Sequence, residues 1–412
     1  MTITRTDLEA LDRADELAPL RALFALPEGV IYLDGNSLGA LPKATPARVA
    51  EVVQREWGQG LIRSWNDAGW MATPARVGDK IAKLVGAASG SVMVADSTSV
   101  NLFKLLGAAL AARPGRRVIV SERRNFPTDL YIAEGLAALL GQGHELRLVE
   151  PEGVAAAIGE DTAVVMLTHV NYHTGAMHDM DAITRAAHEK GALMLWDLAH
   201  SAGAVPVDLA GCDVDLAVGC GYKFLNGGPG APAFLYVAPR LQDALRYPLT
   251  GWLGHAAPFA FETGYRPGQG IARTMVGTPP VLSLAALEVG IDIALQAPME
   301  QVRAKSVRQT TIFAELLEQV GAGLGFQLAS PRDAARRGSQ VCLAHGQAYA
   351  IMQALIGRGV IGDFRAPDIL RFGITPLYTR YVDLFDAAEA LRAVMAGGEW
   401  QAPEHQTRRA VT

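Results

Sequence analysis

The sequence is poor in cysteine, and its three cysteines form no recognisable pattern. Cys212, Cys220 and Cys342 give an odd number with no CxxC spacing in 412 residues. Folds built on disulfides and sites that bind zinc use paired or closely spaced cysteines. The composition therefore argues against both, predicts no metal site, and fits a reducing compartment, so the cytoplasm is the expected location.

Long hydrophobic runs and strong net charge are also lacking. Nowhere do the roughly 18 uncharged apolar residues that a membrane span requires follow one another. The first residues, MTITRTDLEALDRADEL, have no apolar core typical of a signal peptide. The formal net charge is −5, and the densest basic clusters, Arg116-Arg117 and Arg123-Arg124, are short. We therefore expect neither a membrane nor a nucleic acid as a partner.

What the sequence does contain is enough hydrophobic residues, 50% of the chain, for a large core. Its length of 412 residues suggests two or three domains, or one large domain with a smaller partner. Between about residues 90 and 290, short aliphatic runs alternate with helix-like segments such as MDAITRAAHEKG. The runs are RRVIVSE, HELRLVE, AVVMLTHV, ALMLWD, DLAVGCGYK and APAFLYV. Strands that alternate with helices predict a mostly parallel sheet with helices on both faces.

The pattern changes after about residue 290. Two long helices, MEQVRAKSVRQTTIFAELLEQVG and GQAYAIMQALIGRG, are predicted there with two weak strands, QVCLAH and ILRFGI. We predict a large α/β domain over residues 61–290 and a smaller α+β domain over residues 291–412, joined by a helix around Leu284. Residues 1–60 are predicted to pack on the smaller domain and on the active site.

Three polar clusters lie at the ends of predicted strands or at a predicted helix start. Asp197 and His200 follow ALMLW, Tyr222-Lys223 follows DLAVG, and DSTSVN precedes the apolar helix LFKLLGAAL. Ligands of open parallel sheets bind outside the carboxyl ends of the strands. We therefore expect a carboxylate, an amine and a hydroxyl-rich helix start to meet in one site.

These groups match the requirements of pyridoxal phosphate. A helix start with the hydroxyls of Thr98 and Ser99 suits a phosphate dianion. Asp197 could keep a pyridinium nitrogen protonated, and Lys223 could bond to the aldehyde. Asp197 could instead cap a helix, and His200 could be a satisfied buried histidine. Lys223 is harder to explain structurally, because it precedes an uncharged Gly-rich turn between two apolar strands.

Several segments, in this order, resemble the fold-type I pyridoxal-phosphate enzymes of the class V aminotransferase group, and the kynureninase family in particular. They are YLDGNSLG, RNFPTD, WDLAHSAG, GCGYKFLNGGPG, GWLGH, RTMVGTPP and ILRFGITPLY, spread over roughly residues 30 to 380. The resemblance implies a fold-type I transferase-like architecture, with a large parallel-sheet domain and a small α+β domain. It also implies a homodimer with active sites at the subunit interface.

The resemblance further implies roles for the matching residues. Lys223 would hold the cofactor as a Schiff base and move the substrate α-proton, Asp197 would pair with the pyridinium nitrogen, and Tyr222 would act as an acid or base near the phosphate. The other cofactor contacts would be Thr98, Ser99, Phe126, Pro127, Thr128, Asp129, Thr168 and His200, with Trp252 and Thr278 reaching the phosphate from a second subunit. The substrate would meet Arg371, at its α-carboxylate, together with Asn36 and Trp65.

The reaction that the resemblance implies is hydrolytic Cβ–Cγ cleavage of L-kynurenine to anthranilate and L-alanine, a step of tryptophan catabolism and NAD biosynthesis. The sequence does not decide between kynurenine and 3-hydroxykynurenine. A class V aminotransferase and a cysteine desulfurase stay open as alternatives, although Cys342 lies in an apolar run typical of a core. A non-catalytic sensor would lack Lys223 or Arg371. A dinucleotide enzyme is disfavoured because no GxGxxG follows a strand.

Overall fold

The computed structural model describes residues 3–408. Its strands are β1 (Ile31–Tyr32), β2 (Val92–Val94), β3 (Val118–Glu122), β4 (Glu145–Val149), β5 (Thr162–Thr168), β6 (Leu193–Asp197), β7 (Leu216–Gly219), β8 (Phe234–Val237), β9 (Gln327–Leu328), β10 (Gln340–Ala344), β11 (Val360–Ile361), β12 (Asp363–Arg365) and β13 (Ile369–Gly373). Its α-helices are α1 (Arg5–Arg13), α2 (Thr45–Glu51), α3 (Ser64–Asp67), α4 (Thr73–Leu84), α5 (Thr98–Ala111), α6 (Pro127–Leu140), α7 (Val154–Ala157), α8 (Met180–Glu189), α9 (Pro239–Gln242), α10 (Val281–Ala294), α11 (Met299–Gly321), α12 (Ala348–Gly357), α13 (Tyr381–Gly397) and α14 (Pro403–Gln406). A π-helix, Val52–Gly60, continues α2.

The larger sheet has seven strands in the order β2-β8-β7-β6-β5-β3-β4. Strands β3 to β7 pair in parallel, and β8 is antiparallel to both of its neighbours. The predicted mostly parallel α/β sheet is confirmed. Strand β8 reverses because residues 220–233 return the chain beside β7 without a crossover helix. The sequence analysis did not predict β2, which is only three residues long.

The central strands of this sheet, β5 to β8, are buried on both faces. In β6, Leu193 and Leu195 pack in the cluster that contains α5 and α6, whereas Met194 and Trp196 pack in the cluster that contains α4, α8 and α10. Side chains alternate between the faces of a strand, so a strand covered on both sides needs apolar residues throughout. This explains the unbroken run ALMLW. Asp197 ends the run where β6 leaves the core.

The smaller sheet is antiparallel, in the order β12-β13-β10-β9. Val341 and Leu343 of β10 pack in a core cluster with α11, α12 and α13. By alternation, Gln340 and Cys342 lie on the other face, where Cys342 is paired with Arg371 of β13. This polar face is turned toward the larger sheet.

The N-terminal segment is attached to the helices of the smaller sheet. Asp12 accepts the backbone N–H groups of Tyr381 and Val382, at 2.7 and 3.0 Å, where α13 begins. Lys305 of α11 donates to Asp15 at 2.7 Å, and both are buried. The Gly39 N–H donates to the Tyr222 carbonyl at 2.8 Å. The boundaries 1–60, 61–290 and 291–412 stay a prediction.

Among residues 3–408, no single helix is both long enough and apolar enough to cross a membrane. Helices α10 and α11 pass that length and composition test only as a pair, and an 82° bend separates them.

Candidate functional site

A cavity of about 650 Å³ lies at the carboxyl ends of β5, β6 and β7. The structure brings most of the predicted site residues to its wall, namely Thr98, Ser99, Phe126, Thr128, Asp129, Thr168, Asp197, His200, Tyr222 and Lys223. The three polar clusters at the strand ends and the helix start therefore meet in one place, as the position of ligands in open parallel sheets led us to expect.

One side of the cavity is the first turn of α5. Ser97 caps this helix by accepting the Val100 N–H at 3.3 Å, and Asp96 before it has a positive φ of 52°. Lys104 is fully buried and donates to the Asp96 carboxylate at 2.6 Å and to the Thr274 carbonyl at 2.9 Å. The loop is thus fixed, and the helix start presents free N–H groups and hydroxyls suited to an anion.

Two buried carboxyl groups, Asp129 and Asp197, share a side-chain hydrogen bond on another side of the cavity. Burial raises the pKa of Asp129 well above its ordinary range, and the charge of Asp197 raises it further. Burial also raises the pKa of Asp197, but the Lys223 cation and the Ala199 N–H oppose that rise. We therefore assign the shared proton to Asp129 and the negative charge to Asp197.

Asn125 organises this end of the cavity and was missed in the sequence analysis. It is buried; its amide oxygen accepts the Thr168 hydroxyl and, at 2.8 Å, the Phe126 N–H. Its amide nitrogen donates to Ser121 Oγ at 3.1 Å. The available signal in the sequence was its place in the RNFPTD segment, directly before the predicted cofactor contact Phe126.

The amine of Lys223 lies 3.0 Å from His200 Nε2 and 5.9 Å from the centre of the Phe126 ring. Burial lowers the pKa of His200 well below its ordinary value, and the nearby Lys223 and Arg371 cations lower it further. His200 is therefore neutral and accepts a hydrogen bond from the amine. Burial raises the pKa of Tyr222, so its hydroxyl stays protonated.

Tyr172 is a second residue that the sequence analysis missed. Its ring lines the cavity and meets the Phe126 ring edge-on, with 5.2 Å between ring centres. It follows β5 by four residues, so its position after a predicted strand end was the available signal.

The remaining predicted site residues lie outside the cavity wall of this chain. Pro127 is the first residue of α6, and Trp65 in α3 packs against Trp70 with 5.7 Å between ring centres. Trp252 and Thr278 are exposed. Asn36 is fully buried, with its amide 3.1 Å from Gln340 Oε1 and 3.3 Å from Arg371 Nε.

Arg371 is buried directly behind Tyr172. Its guanidinium donates to the Tyr172 carbonyl at 2.9 Å, to Ser37 Oγ at 2.6 Å and to the Asp363 carboxylate. Asp34 lies 4.0 Å away, and burial together with the Asp363 charge raises the pKa of Asp34 to about 7. A cation thus stands behind the cavity wall with Asp363 as its counter-ion.

His169, next to Thr168, gives a pH-dependent prediction. It is buried beside Ser201, and burial lowers its pKa to about 3. Below pH 6.5 the unfolded chain binds a proton that the folded chain does not, so the stability falls as the pH falls from about 6.5 toward 3. At pH 4 the loss from this residue should approach about 3 kcal/mol.

We expect His169→Asn to lose less unfolding free energy than the unchanged protein between pH 7 and pH 4, measured by urea unfolding at each pH. His405→Asn, near the C-terminus, is the matched control and should behave like the unchanged protein. Equal losses in the His169 variant and the unchanged protein would contradict the prediction.

Two family models match parts of the chain, and relatives of known name match nearly all of it. The model described as "Kynureninase C-terminal domain" matches residues 302–391, and that of the DegT/DnrJ/EryC1/StrS aminotransferase family matches residues 64–212. The chain is similar to the kynureninases of Burkholderia pseudomallei (strain 1106a) and Pseudomonas fluorescens. Each is 56% identical over 414 residues, covering 99% of this chain and 100% of the relative.

Solved structures share the fold at low sequence identity. The apo cysteine desulfurase of Thermococcus onnurineus NA1 superposes with a TM-score of 0.77 at 18% identity, covering 92% of this chain and 98% of that one. A C-DES mutant with glycine covalently linked to its PLP cofactor gives a TM-score of 0.76 at 16% identity, covering 95% and 99%. These likenesses support the predicted fold class and, at such identities, the fold alone.

Proposed function

The chain belongs to the kynureninase family, and from this premise we propose that it hydrolyses the Cβ–Cγ bond of L-kynurenine, or of its 3-hydroxy derivative, to an anthranilate and L-alanine. The observation that carries the proposal is the single cavity in which Lys223, Asp197 and the start of α5 come together. The three cysteines of the chain are free thiols, which fits a reducing compartment. We therefore propose that the protein is located in the cytoplasm.

Pyridoxal phosphate is the cofactor in this proposal because the residues present fit it at each end. Thr98, Ser99 and the free N–H groups of α5 would hold the phosphate, with the Tyr222 hydroxyl as a further donor. Asp197 would hold the ring nitrogen, and the Phe126 ring would stack on the cofactor. When bound, the cofactor supplies an aldehyde that bonds to amines and a ring that accepts electrons.

The chain's own residues would then handle protons and charge. Lys223, once free, removes the proton from the substrate Cα, since its amine lies inside the cavity. Neutral His200 accepts a hydrogen bond from that amine and keeps it oriented. The Tyr222 hydroxyl, kept protonated by burial, is available to donate a proton at the substrate Cβ after the C–C bond breaks.

The alternatives that share the cofactor are weaker. A cysteine desulfurase needs an accessible thiolate, but Cys342 is fully buried and burial raises its pKa to about 11. Cys220 is also buried, and Cys212 packs against the core beneath the larger sheet. A non-catalytic sensor would not need the Lys223 amine in the cavity. An aminotransferase uses the same first proton transfer, so only the products separate it from a hydrolase.

The product assay tests the function directly. With L-kynurenine as the sole substrate, we expect anthranilate fluorescence and L-alanine. Lys223→Ala should abolish turnover and the visible absorbance of the cofactor–lysine link. The exposed Lys190→Ala is the control and should retain both. A keto acid product without anthranilate would indicate transamination, and a retained absorbance band in Lys223→Ala would overturn the assignment of Lys223.

Arg371 is proposed to bind the substrate α-carboxylate. Its support is the buried guanidinium behind Tyr172, within 3.3 Å of Asn36, and the suitability of guanidinium for two-point carboxylate binding. Asn36 is proposed to contact the same end of the substrate. Trp65 does not line the cavity, and we propose it only as part of the substrate pocket.

Arg371→Lys keeps a cation beside Asp363 but loses the planar two-point geometry. We expect KM for kynurenine to rise by roughly 10- to 100-fold, the cost of a charged hydrogen bond, with a smaller change in kcat. Steady-state kinetics measure both. Arg365→Lys, which also pairs with Asp363, serves as the control. Equal effects of the two substitutions on KM would contradict a specific role for Arg371.

A homodimer is proposed because exposed aromatic residues flank Trp252. Phe259 and Phe261 are 63% and 76% exposed. The Trp252 ring contacts the Phe259 ring, which in turn contacts the Phe261 ring. Exposed apolar patches of this kind mark interfaces. Trp252 and Thr278 do not line the cavity of their own chain, which fits the proposal that each reaches the cavity of a second copy.

Subunit complementation tests this arrangement. Lys223→Ala and Trp252→Ala should each be impaired alone. After the two variants are mixed and allowed to exchange subunits, each mixed dimer should contain one active site with both an intact Lys223 and an intact Trp252. That site should restore part of the activity. If Trp252 served its own chain, the mixture would regain nothing.

A further inference from the structure

Lys104 is a buried lysine of α5 whose amine reaches back to the start of that helix. Its side chain is fully buried, and its amine donates to the Asp96 carboxylate at 2.6 Å and to the Thr274 carbonyl at 2.9 Å. Side chains of a helix lean toward its N-terminus, so a residue of the second turn can reach the loop before the helix. Anchoring the loop would need only a neutral donor, so the buried charge calls for a further reason.

The position of Asp96 supplies that reason. Asp96 lines the cavity beside Thr98 and Ser99, which would hold the phosphate. Its side chain is 28% exposed, and its backbone is fixed because the Ala233 N–H donates to the Asp96 carbonyl at 2.9 Å. A carboxylate therefore stands beside the proposed site of a phosphate dianion, where two negative charges would repel each other.

The Lys104 amine compensates the charge of this carboxylate. Burial lowers the pKa of the amine, but the Asp96 carboxylate opposes that change, so the two groups form an ion pair. The phosphate contacts proposed for this chain carry no full charge, since Thr98, Ser99 and Tyr222 offer hydroxyls and α5 offers N–H groups. The positive charge that balances Asp96 at this end of the cavity therefore comes from Lys104.

We infer that Lys104 is a positioning residue for the cofactor phosphate, which pairs with Asp96 and so keeps that carboxylate from repelling the phosphate at the start of α5. Lys104 itself does not line the cavity and acts only through Asp96. The inference rests on the proposed cofactor but not on the proposed reaction, because the binding of pyridoxal phosphate can be measured without kynurenine.

Titration of the full-length apoprotein with pyridoxal phosphate, followed by the visible absorbance of the cofactor–lysine link, tests the inference. Lys104→Met keeps the side-chain length without the charge. We expect the dissociation constant to rise by roughly 10-fold, because the Asp96 carboxylate is left uncompensated. Pyridoxal, which has the aldehyde but no phosphate, should bind equally well to the variant and the unchanged protein. An unaltered constant for pyridoxal phosphate, or an equal rise for pyridoxal, would overturn the inference.

A double variant separates the charge from the hydrogen bonds. Asp96→Asn with Lys104→Met removes both charges together with the hydrogen bonds of the amine. We expect its dissociation constant for pyridoxal phosphate to return to within about 3-fold of that of the unchanged protein. This variant keeps the inference testable if Lys104→Met does not fold, because two neutral side chains avoid an unpaired buried charge. A rise of about 10-fold or more in the double variant would overturn the inference.

Lys305 provides the matched control. It is also a buried lysine that donates to one carboxylate, that of Asp15 at 2.7 Å, and to one carbonyl, that of Pro376 at 2.5 Å. Neither Lys305 nor its two partners line the cavity. Lys305→Met should therefore bind pyridoxal phosphate as the unchanged protein does, even if urea unfolding shows a loss of stability. Equal weakening of binding by Lys305→Met and Lys104→Met would contradict a specific role for Lys104.

The outcomes separate this inference from the proposed function. Absence of the visible band from the unchanged protein would contradict the cofactor and the inference together. A normal band without anthranilate would count against the proposed reaction alone. Both a normal band and anthranilate, with equal affinity for pyridoxal phosphate in Lys104→Met and the unchanged protein, would count against the role of Lys104 alone.

Discussion

The site depends on one half-buried contact, between the amine of Lys223 and Nε2 of His200, 3.0 Å apart. An amine at the edge of a hydrophobic sheet is stable only if hydrogen bonds and charges replace the water it has lost. His200 supplies the acceptor, and Asp197 supplies the negative charge, because its neighbour Asp129 keeps the proton that the two carboxyl groups share. The Lys223 amine and the Asp197 carboxylate thereby line one cavity together.

His200 also connects the two sheets, because its other ring nitrogen, Nδ1, lies 3.2 Å from the side-chain amide of Gln340 in the smaller sheet. Central strands of the larger sheet such as β6 are buried on both faces, and Asp197 lies at the carboxyl end of that strand. The smaller sheet buries one face against its helices and leaves the other polar, and from that face Gln340 and Arg371 reach toward the cavity. Gly373 makes room for Asn36 there, since a Cβ atom at this position would come within 2.0 Å of the Asn36 side chain. The candidate site lies where strand ends of the larger sheet meet the polar face of the smaller sheet.

Fold and function rest on different observations in this protein. Solved structures at 16–18% identity share the architecture with TM-scores of 0.76 and 0.77, and they include cysteine desulfurases, whose reaction differs. The family follows instead from 56% identity along the whole chain. The buried state of Cys342 gives an independent physical reason why a desulfurase reaction does not suit this site, because a buried thiol neither ionises readily nor reaches a substrate.

The sequence by itself determined the α/β sheet, the strands that end in Asp197 and precede Lys223, and the hydroxyl-rich start of α5. These features are local, because apolar runs, helix periodicity and the residue at a strand end can be read from neighbouring letters. The tertiary structure decided the short strand β2, the reversal of β8, and the contacts of Asn125, Tyr172 and Gln340. Those contacts join residues as far apart as His200 and Gln340, and no local pattern specifies which buried amide will face which histidine. Only the packing of the two sheets together brings these side chains into contact.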